Sequence, residues 1–188
     1  MSADLSASLP RRVVTGIRDG KSVFVSDGEV PNARLHQSVT GFMTSVCWAT
    51  PAQLSLPLDG SDPSLPPIRI PPAQGETRLM IVRFPPDTVM ASASFDPVAA
   101  AAEQRHHLPG LAELFEPDAP GMHTTDTVDY DIVLDGEIWL ELDDGAEIHL
   151  RQGDVAIQCG TRHAWRNKSD SPVTMAFVLV GATRPEAE

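Results

Sequence analysis

Cysteine is almost absent: the 188 residues contain two, Cys47 and Cys159, far apart in sequence. They offer no disulfide framework and no Cys-x-x-Cys motif, so both are expected to be free and reduced. Basic residues are also scarce, with 14 Lys and Arg against 26 Asp and Glu and a net charge of −12. That balance argues against nucleic acid and anionic membrane as partners, since both need a basic face. The acidity itself reads as a source of solubility. No apolar run approaches the roughly 18 residues of a membrane-spanning helix. Met1-Ser-Ala-Asp-Leu5 lacks the basic and apolar regions of a secretion signal, and the expected location is the cytoplasm. A Gly-rich phosphate loop and a Gly-x-Ser-x-Gly nucleophile turn are missing as well.

What is present points to short elements around one core. Hydrophobic residues make up 41% of the chain, enough for a globular core, and 17 Pro with 13 Gly imply many turns. One structural unit is expected, with residues 1–77 as N-terminal strands and a Pro-rich arm packed on a barrel of residues 78–188. Residues 1–10 are small and polar and expected to fray, and Arg184–Glu188 is a tail. Arg12–Ile17 and Ser22–Ser26 flank Arg18-Asp-Gly-Lys21 and read as a hairpin. Thr44–Ala49 reads as a strand. Seven Pro between Pro51 and Pro72 mark an irregular arm, since Pro cannot donate to a sheet ladder.

Arg78–Phe84 is a strong strand closed by Pro85-Pro86. Asp96-Pro97 is an N-cap followed by Pro at the first helical position, so a helix is expected over Val98–His107. Leu111–Phe115 adds a short helical turn. Beyond it, turn signals fall at near-regular spacing: Asp135-Gly136, Asp143-Asp144-Gly145, Gln152-Gly153-Asp154 and Asn167-Lys168-Ser169-Asp170. Between them Ile132–Leu134, Ile138–Leu142, Glu147–Leu150 and Val155–Gln158 read as strands, and Thr174–Val180 is the last. Short strands in even succession predict an all-β antiparallel sandwich or barrel.

The same stretch resembles the two-motif signature of the cupin superfamily, the small RmlC-like jelly-roll proteins. The first motif runs His-x-His, three or four residues, Glu, six residues, Gly. Here His123 takes the first His, Thr125 stands for the second, Asp129 stands for Glu, and Gly136 is in register. The second motif is matched by Gly153, Gly160, His163 and Asn167, one residue short and with Gln158 in place of Pro. The resemblance covers about residues 78–181. It implies a jelly roll, or double-stranded β-helix, with an N-terminal β extension and one or two short helices.

In a strand, residues two apart share a face. If His123 points into the barrel, as the resemblance implies, Thr125, Asp129 and Asp131 do too, and His163 arrives from the opposite side. Something must compensate a buried Asp129: a metal, a protonated His or hydrogen bonds. One reading is a metal site of His123, Asp129 and His163 holding one divalent ion, Fe, Mn, Ni or Zn. The other is a metal-free site in which His123 or His163 shuttles a proton and Asp129 or Asp131 orients it. The metal site is the first reading and the acid/base site the second; the remaining alternative is a relic site of hydrogen-bonded core polar residues. The catalytic candidates are His123, His163, Asp129 and Asp131. Thr125, Trp139 and Trp165 are substrate-binding candidates, with packing the alternative role for both Trp. Tyr130 faces away from Asp129 by alternation. His36 and His149 are expected to be solvated.

The function expected is a cupin-type enzyme: a lyase, isomerase or decarboxylase acting on a small oxygenated organic acid or carbonyl compound. The alternatives are a non-catalytic metabolite-binding module and a metal-dependent oxygenase. A small-molecule ligand and a second copy of the chain, forming a homodimer, are the partners expected.

Overall fold

A computed structural model describes residues 8–185; the expectation that residues 1–10 fray falls outside them for residues 1–7, as do the last three residues of the tail. Eleven strands and one α-helix follow in order: β1 (Arg11–Arg18), β2 (Lys21–Glu29), β3 (Arg34–Leu35), β4 (Met43–Thr50), β5 (Thr77–Phe84), α1 (Pro97–His107), β6 (Thr127–Asp135), β7 (Glu137–Glu141), β8 (Glu147–Arg151), β9 (Val155–Cys159), β10 (Ala164–Arg166) and β11 (Val173–Gly181). No helix among the described residues is long and apolar enough to cross a membrane.

The fold is an antiparallel jelly roll. Its larger sheet has the order β3-β4-β5-β11-β6-β9, and its smaller sheet the order β10-β7-β8. Alternation along β6 decides which side chains face in: Thr127, Asp129, Asp131 and Val133 are buried, while Tyr130 and Leu134 are exposed. Val133, Ile138, Val173 and Met175 form a buried cluster between the sheets, joined by Phe84, Leu150, Trp165 and Phe177. Asp135-Gly136 makes the tight turn from β6 to β7, and Gly136 takes a φ of 83° that a side chain would resist.

The helix begins where Asp96 caps it, with Oδ1 accepting from the backbone N–H of Val98 and Ala99 at 2.9 and 3.0 Å. Little of it is buried, Ala100 being the one buried residue. It is held instead by Glu103, whose carboxylate accepts from Gln37 N–H at 2.7 Å and Ser38 N–H at 2.8 Å. The segment after it turns inward. Leu108 is buried with Val46, Ile70, Met80, Val82 and Leu179, and Leu111 and Ala112 pack on that cluster.

β3 and β4 extend the larger sheet, while β1 and β2 pair with each other as the expected hairpin, a separate two-stranded ribbon. One expectation about the N-terminal region is corrected. His36 is not solvated: it is 5% exposed, beside Thr44 at 3.0 Å and Phe42. The Pro-rich arm meets the barrel at Gly181, where an added Cβ would lie 1.9 Å from the Ala73 carbonyl oxygen and 2.8 Å from that of Pro72. Gly181→Ala therefore must push the arm off the end of β11. A loss of about 3 kcal/mol or more is expected, read as a lower melting temperature with faster proteolysis at Pro72–Gly75. An unchanged melt would show that the arm does not approach so closely.

Candidate functional site

The site is built where the segment before β6 crosses the segment before β10. His123 and His163 form an antiparallel bridge, each backbone N–H donating to the other's carbonyl at 3.0 Å. Their rings lie 4.3 Å apart between centroids. His123 Nδ1 is 3.1 Å from the Gly121 carbonyl oxygen, and His163 Nδ1 is 2.9 Å from that of Thr161. A carbonyl can only accept, so both Nδ1 atoms must carry the proton. In a neutral ring this leaves the Nε2 lone pair free, and neither Nε2 has a hydrogen-bond partner among the described residues.

Both rings are neutral near pH 7. Burial pushes the His163 pKa down to about 4, with the His123 ring beside it adding to the effect. Burial also lowers His123, against the pull of the Gly121 carbonyl and of Glu116. The pair thus presents two unprotonated nitrogens, which can accept a proton or bind a cation.

The carboxyls are the second feature. Asp129 is 5% exposed and Asp131 1% exposed. Burial raises Asp129 to about 6, against a lowering contact from the Thr127 hydroxyl. Burial, with Asp129 as a like-charged neighbour, raises Asp131 to about 8. Asp129 Oδ1 and both oxygens of Asp131 are buried without a hydrogen-bond partner, and so is Gln158 Nε2. Gln158 sits opposite Asp129 in the β6–β9 ladder. Arg78 lies in the same cross-sheet row, opposite Leu179, but is held by Glu76 and the carbonyls of Arg69 and Thr77. No cationic side chain offsets the burial of either carboxyl. The consequence is a buried acid, Asp131, that keeps its proton at neutral pH.

The remaining candidates separate. Thr125 is buried and accepts a hydrogen bond from Thr127 Oγ1 at 2.7 Å. Trp165 faces the interior, edge-on to His163 at 6.2 Å and to Phe177 at 5.8 Å. Trp139 does not belong to the site. It lies on the opposite face of β7 from buried Ile138 and stacks on His149 at 4.2 Å. The physical reason is strand alternation, which turns neighbouring residues to opposite faces. His149 is likewise not free in solvent, since it is sandwiched by this stack and a 2.9 Å contact to Glu137.

Three contributors carry no signal in the motif spacing. Gln158 is one, its inward position following from β9 alternation. Phe115 is the second, packing edge-on against His123 at 4.9 Å. The third is Glu116, which takes both nitrogens of the Arg162 fork at 2.6 Å and so ties the segment after α1 to the residue preceding His163.

The metal reading meets a different geometry. Among the described residues no three His, Cys, Asp or Glu side chains form a group that could hold a metal ion. His123 and His163 supply two imidazole donors, but Asp129 does not complete a set with them. Asp is one methylene shorter than the Glu of the family motif, and Thr125 stands where a further imidazole would be. The structure brings His123 and His163 together as a ring pair, with Asp129 and Asp131 as a pair of buried carboxyls on β6.

A family model described as the cupin domain matches residues 114–180. Among curated proteins, the phomopsin biosynthesis cluster proteins C' and D of Diaporthe leptostromiformis are each 58% identical to the chain over 62 residues, 32% of this chain and 33% of each relative. The cupin-domain-containing oxidoreductase virC of Hypocrea virens is 40% identical over 62 residues, 31% of this chain and 32% of that protein. The match thus spans about a third of these relatives' length. Among solved structures, a Cupin 2 conserved barrel domain protein from Salinispora arenicola is similar at 16% identity and a TM-score of 0.40, with 80% of this chain and 82% of that one covered.

Proposed function

Because residues 114–180 form a cupin domain, we propose that this chain is a cupin-type enzyme that moves a proton on a small carbonyl compound. The observation that carries this reading is the pair of neutral imidazoles, each with Nδ1 pinned to a carbonyl and Nε2 free. One Nε2 takes the proton from the carbon beside the substrate carbonyl. The C–H electron pair moves onto the carbonyl oxygen, and protonated Asp131 donates to that developing oxyanion. Phe115 and Trp165, edge-on to His123 and His163, flank the reacting imidazoles. This serves a lyase or isomerase that begins by enolisation. Arg78 being already held, a neutral carbonyl compound fits the interior better than a carboxylate. No step is routed through a metal ion, because the residues present give two donors rather than a full set.

A second reading, an oxidoreductase, is favoured by the name carried by the Hypocrea virens relative. Incubation in D2O with a panel of small ketones, aldehydes and keto acids separates the two. The proposal expects protein-dependent deuterium incorporation next to the carbonyl of at least one compound, followed by NMR, and faster exchange for neutral compounds than for keto acids. Redox conversion of a panel member without exchange would favour the second reading. Binding without either would make the chain a metabolite-binding module.

A further inference from the structure

A cavity of about 400 Å3 lies between β4, the end of the Pro-rich arm and the last turn of α1. None of His123, His163, Asp129 and Asp131 lines it. Its size falls at the lower end of small-molecule sites, which run from about 300 to 1,000 Å3. The floor is apolar: Val46, Ile70, Met80 and Leu108 line it, and all four are buried in one core cluster. The walls are tied together, because the backbone N–H of Ile70 on the arm donates to the Pro109 carbonyl after α1 at 2.9 Å.

The titratable side chains on the walls are Arg34, Arg69, His106 and His107. Among the described residues no acid lines the cavity, in a chain with 26 Asp and Glu against 14 Lys and Arg. Elsewhere Arg12, Arg78 and Arg166 each hold a carboxylate. Arg34 and Arg69 hold none. Arg34 Nη1 donates to the carbonyls of Pro31 and Ala33, which leaves its Nε and Nη2 without a partner among the described residues. The Arg69 guanidinium has no hydrogen-bond partner among them either. It lies beside Gly110, where an added Cβ would be 3.2 Å from its Nε and Nη2. Glu103 approaches to 3.8 Å from His107 Nε2, but its carboxylate is already taken by the N–H groups of Gln37 and Ser38. Burial, the His106 ring and the Arg34 guanidinium hold the His107 pKa below its ordinary value, against the pull of Glu103. These groups are therefore near enough to repel one another. Behind them the buried His36 ring stands edge-on to His107 at 5.1 Å, and its Nδ1 has no partner.

We propose that this cavity is a second ligand site, for a small carboxylate with an apolar body. Arg34 and Arg69 grip the head group at the rim, and Val46, Ile70, Met80 and Leu108 take the body. A guanidinium fork matches a carboxylate through two parallel charge-assisted hydrogen bonds. A guest anion also relieves the repulsion among the cations on the walls. Selectivity follows from needing both parts. A neutral molecule of the same shape fills the floor and leaves the guanidiniums uncompensated, while inorganic phosphate pairs with them and leaves the floor empty. The site shares no lining residue with the His pair, so it stands whether or not the chain enolises a carbonyl compound.

Calorimetric titration of the full chain with octanoate tests this, beside octanol, which keeps the body without the charge, and inorganic phosphate, which keeps the charge without the body. Octanoate is expected to saturate one site with a Kd below about 1 mM, and octanol and phosphate to bind about tenfold more weakly or worse. Arg34→Gln and Arg69→Gln should each raise the octanoate Kd about tenfold, with far-UV circular dichroism unchanged because both side chains are exposed. Arg105→Gln removes an exposed cation from the same turn of α1 that does not line the cavity, and should bind as the wild type does. In 15N spectra of His-labelled chain, octanoate should shift His106 and His107 and leave His123 and His163 in place. A wild type that millimolar octanoate does not saturate overturns the proposal. So does octanol or phosphate binding as tightly as octanoate, full affinity in Arg34→Gln and Arg69→Gln, or an equal loss in Arg105→Gln. Shifts at His123 and His163 instead would put octanoate in the reaction site and overturn it as well.

Discussion

Replacing His163 with Ala will slow deuterium exchange into a bound carbonyl compound by about a hundredfold to ten-thousandfold, the usual contribution of a positioned acid or base. His123→Ala will do the same if the two rings act together, and the double variant will be little worse than either single one. The fold should survive. The barrel rests on Val133, Ile138, Val173 and Met175, all at most 1% exposed, and His163 contributes one side-chain hydrogen bond, to Thr161. Losing such a bond costs about 1 kcal/mol. A His163→Ala protein that exchanges deuterium at the wild-type rate would move the base elsewhere. One that fails to fold would leave His123→Ala as the decisive variant.

Stability will fall as pH rises from about 6.5 to 8, and Asp131→Asn will abolish that fall. Burial holds the Asp131 carboxyl at about 8 in the folded chain, against the ordinary Asp value of 3.8. Between those values the folded state holds a proton that the unfolded state has released, so raising the pH favours unfolding. Asp129, at about 6, acts in the same direction below that pH. His163 and His36, both lowered from 6.5 to about 4, act oppositely: their unfolded forms bind more protons between pH 4 and 6.5, so stability rises there and levels off above. The two sets cancel in part below pH 6.5. Above it the carboxyl stands alone, with a loss of about 2 kcal/mol by pH 8. Urea unfolding at stepped pH reads this directly. A curve flat from pH 6.5 to 8 would mean that Asp131 is ionised in the folded chain and compensated by something other than a proton.

Much of this architecture was legible from turns and alternation. Asp135-Gly136 and Gln152-Gly153-Asp154 separate strands because Gly supplies the positive φ, and the inward set Thr127, Asp129, Asp131 follows from a period of two. The Asp96-Pro97 cap located α1 to within a residue. β10 was not legible, since three residues, Ala164–Arg166, give no periodicity to read. The separate ribbon was not either. A hairpin's local pattern states that two strands pair with each other and says nothing of what lies on their faces. At the site, the family resemblance put His123 and His163 on facing segments, but it could not give the reach of Asp129 or the tie between Glu116 and Arg162. Those depend on side-chain length and on contacts 46 residues apart in sequence.

The measurement closest to the central claim is 15N NMR of the imidazoles in His-labelled chain, assigned with His123→Ala and His163→Ala and followed with pH. Both rings should be neutral at pH 7 and protonated on Nδ1, with Nε2 bare, and His163 should titrate near pH 4. Rings that are charged at pH 7, or that carry the proton on Nε2, would contradict the account, because no lone pair would then face the carbonyl substrate.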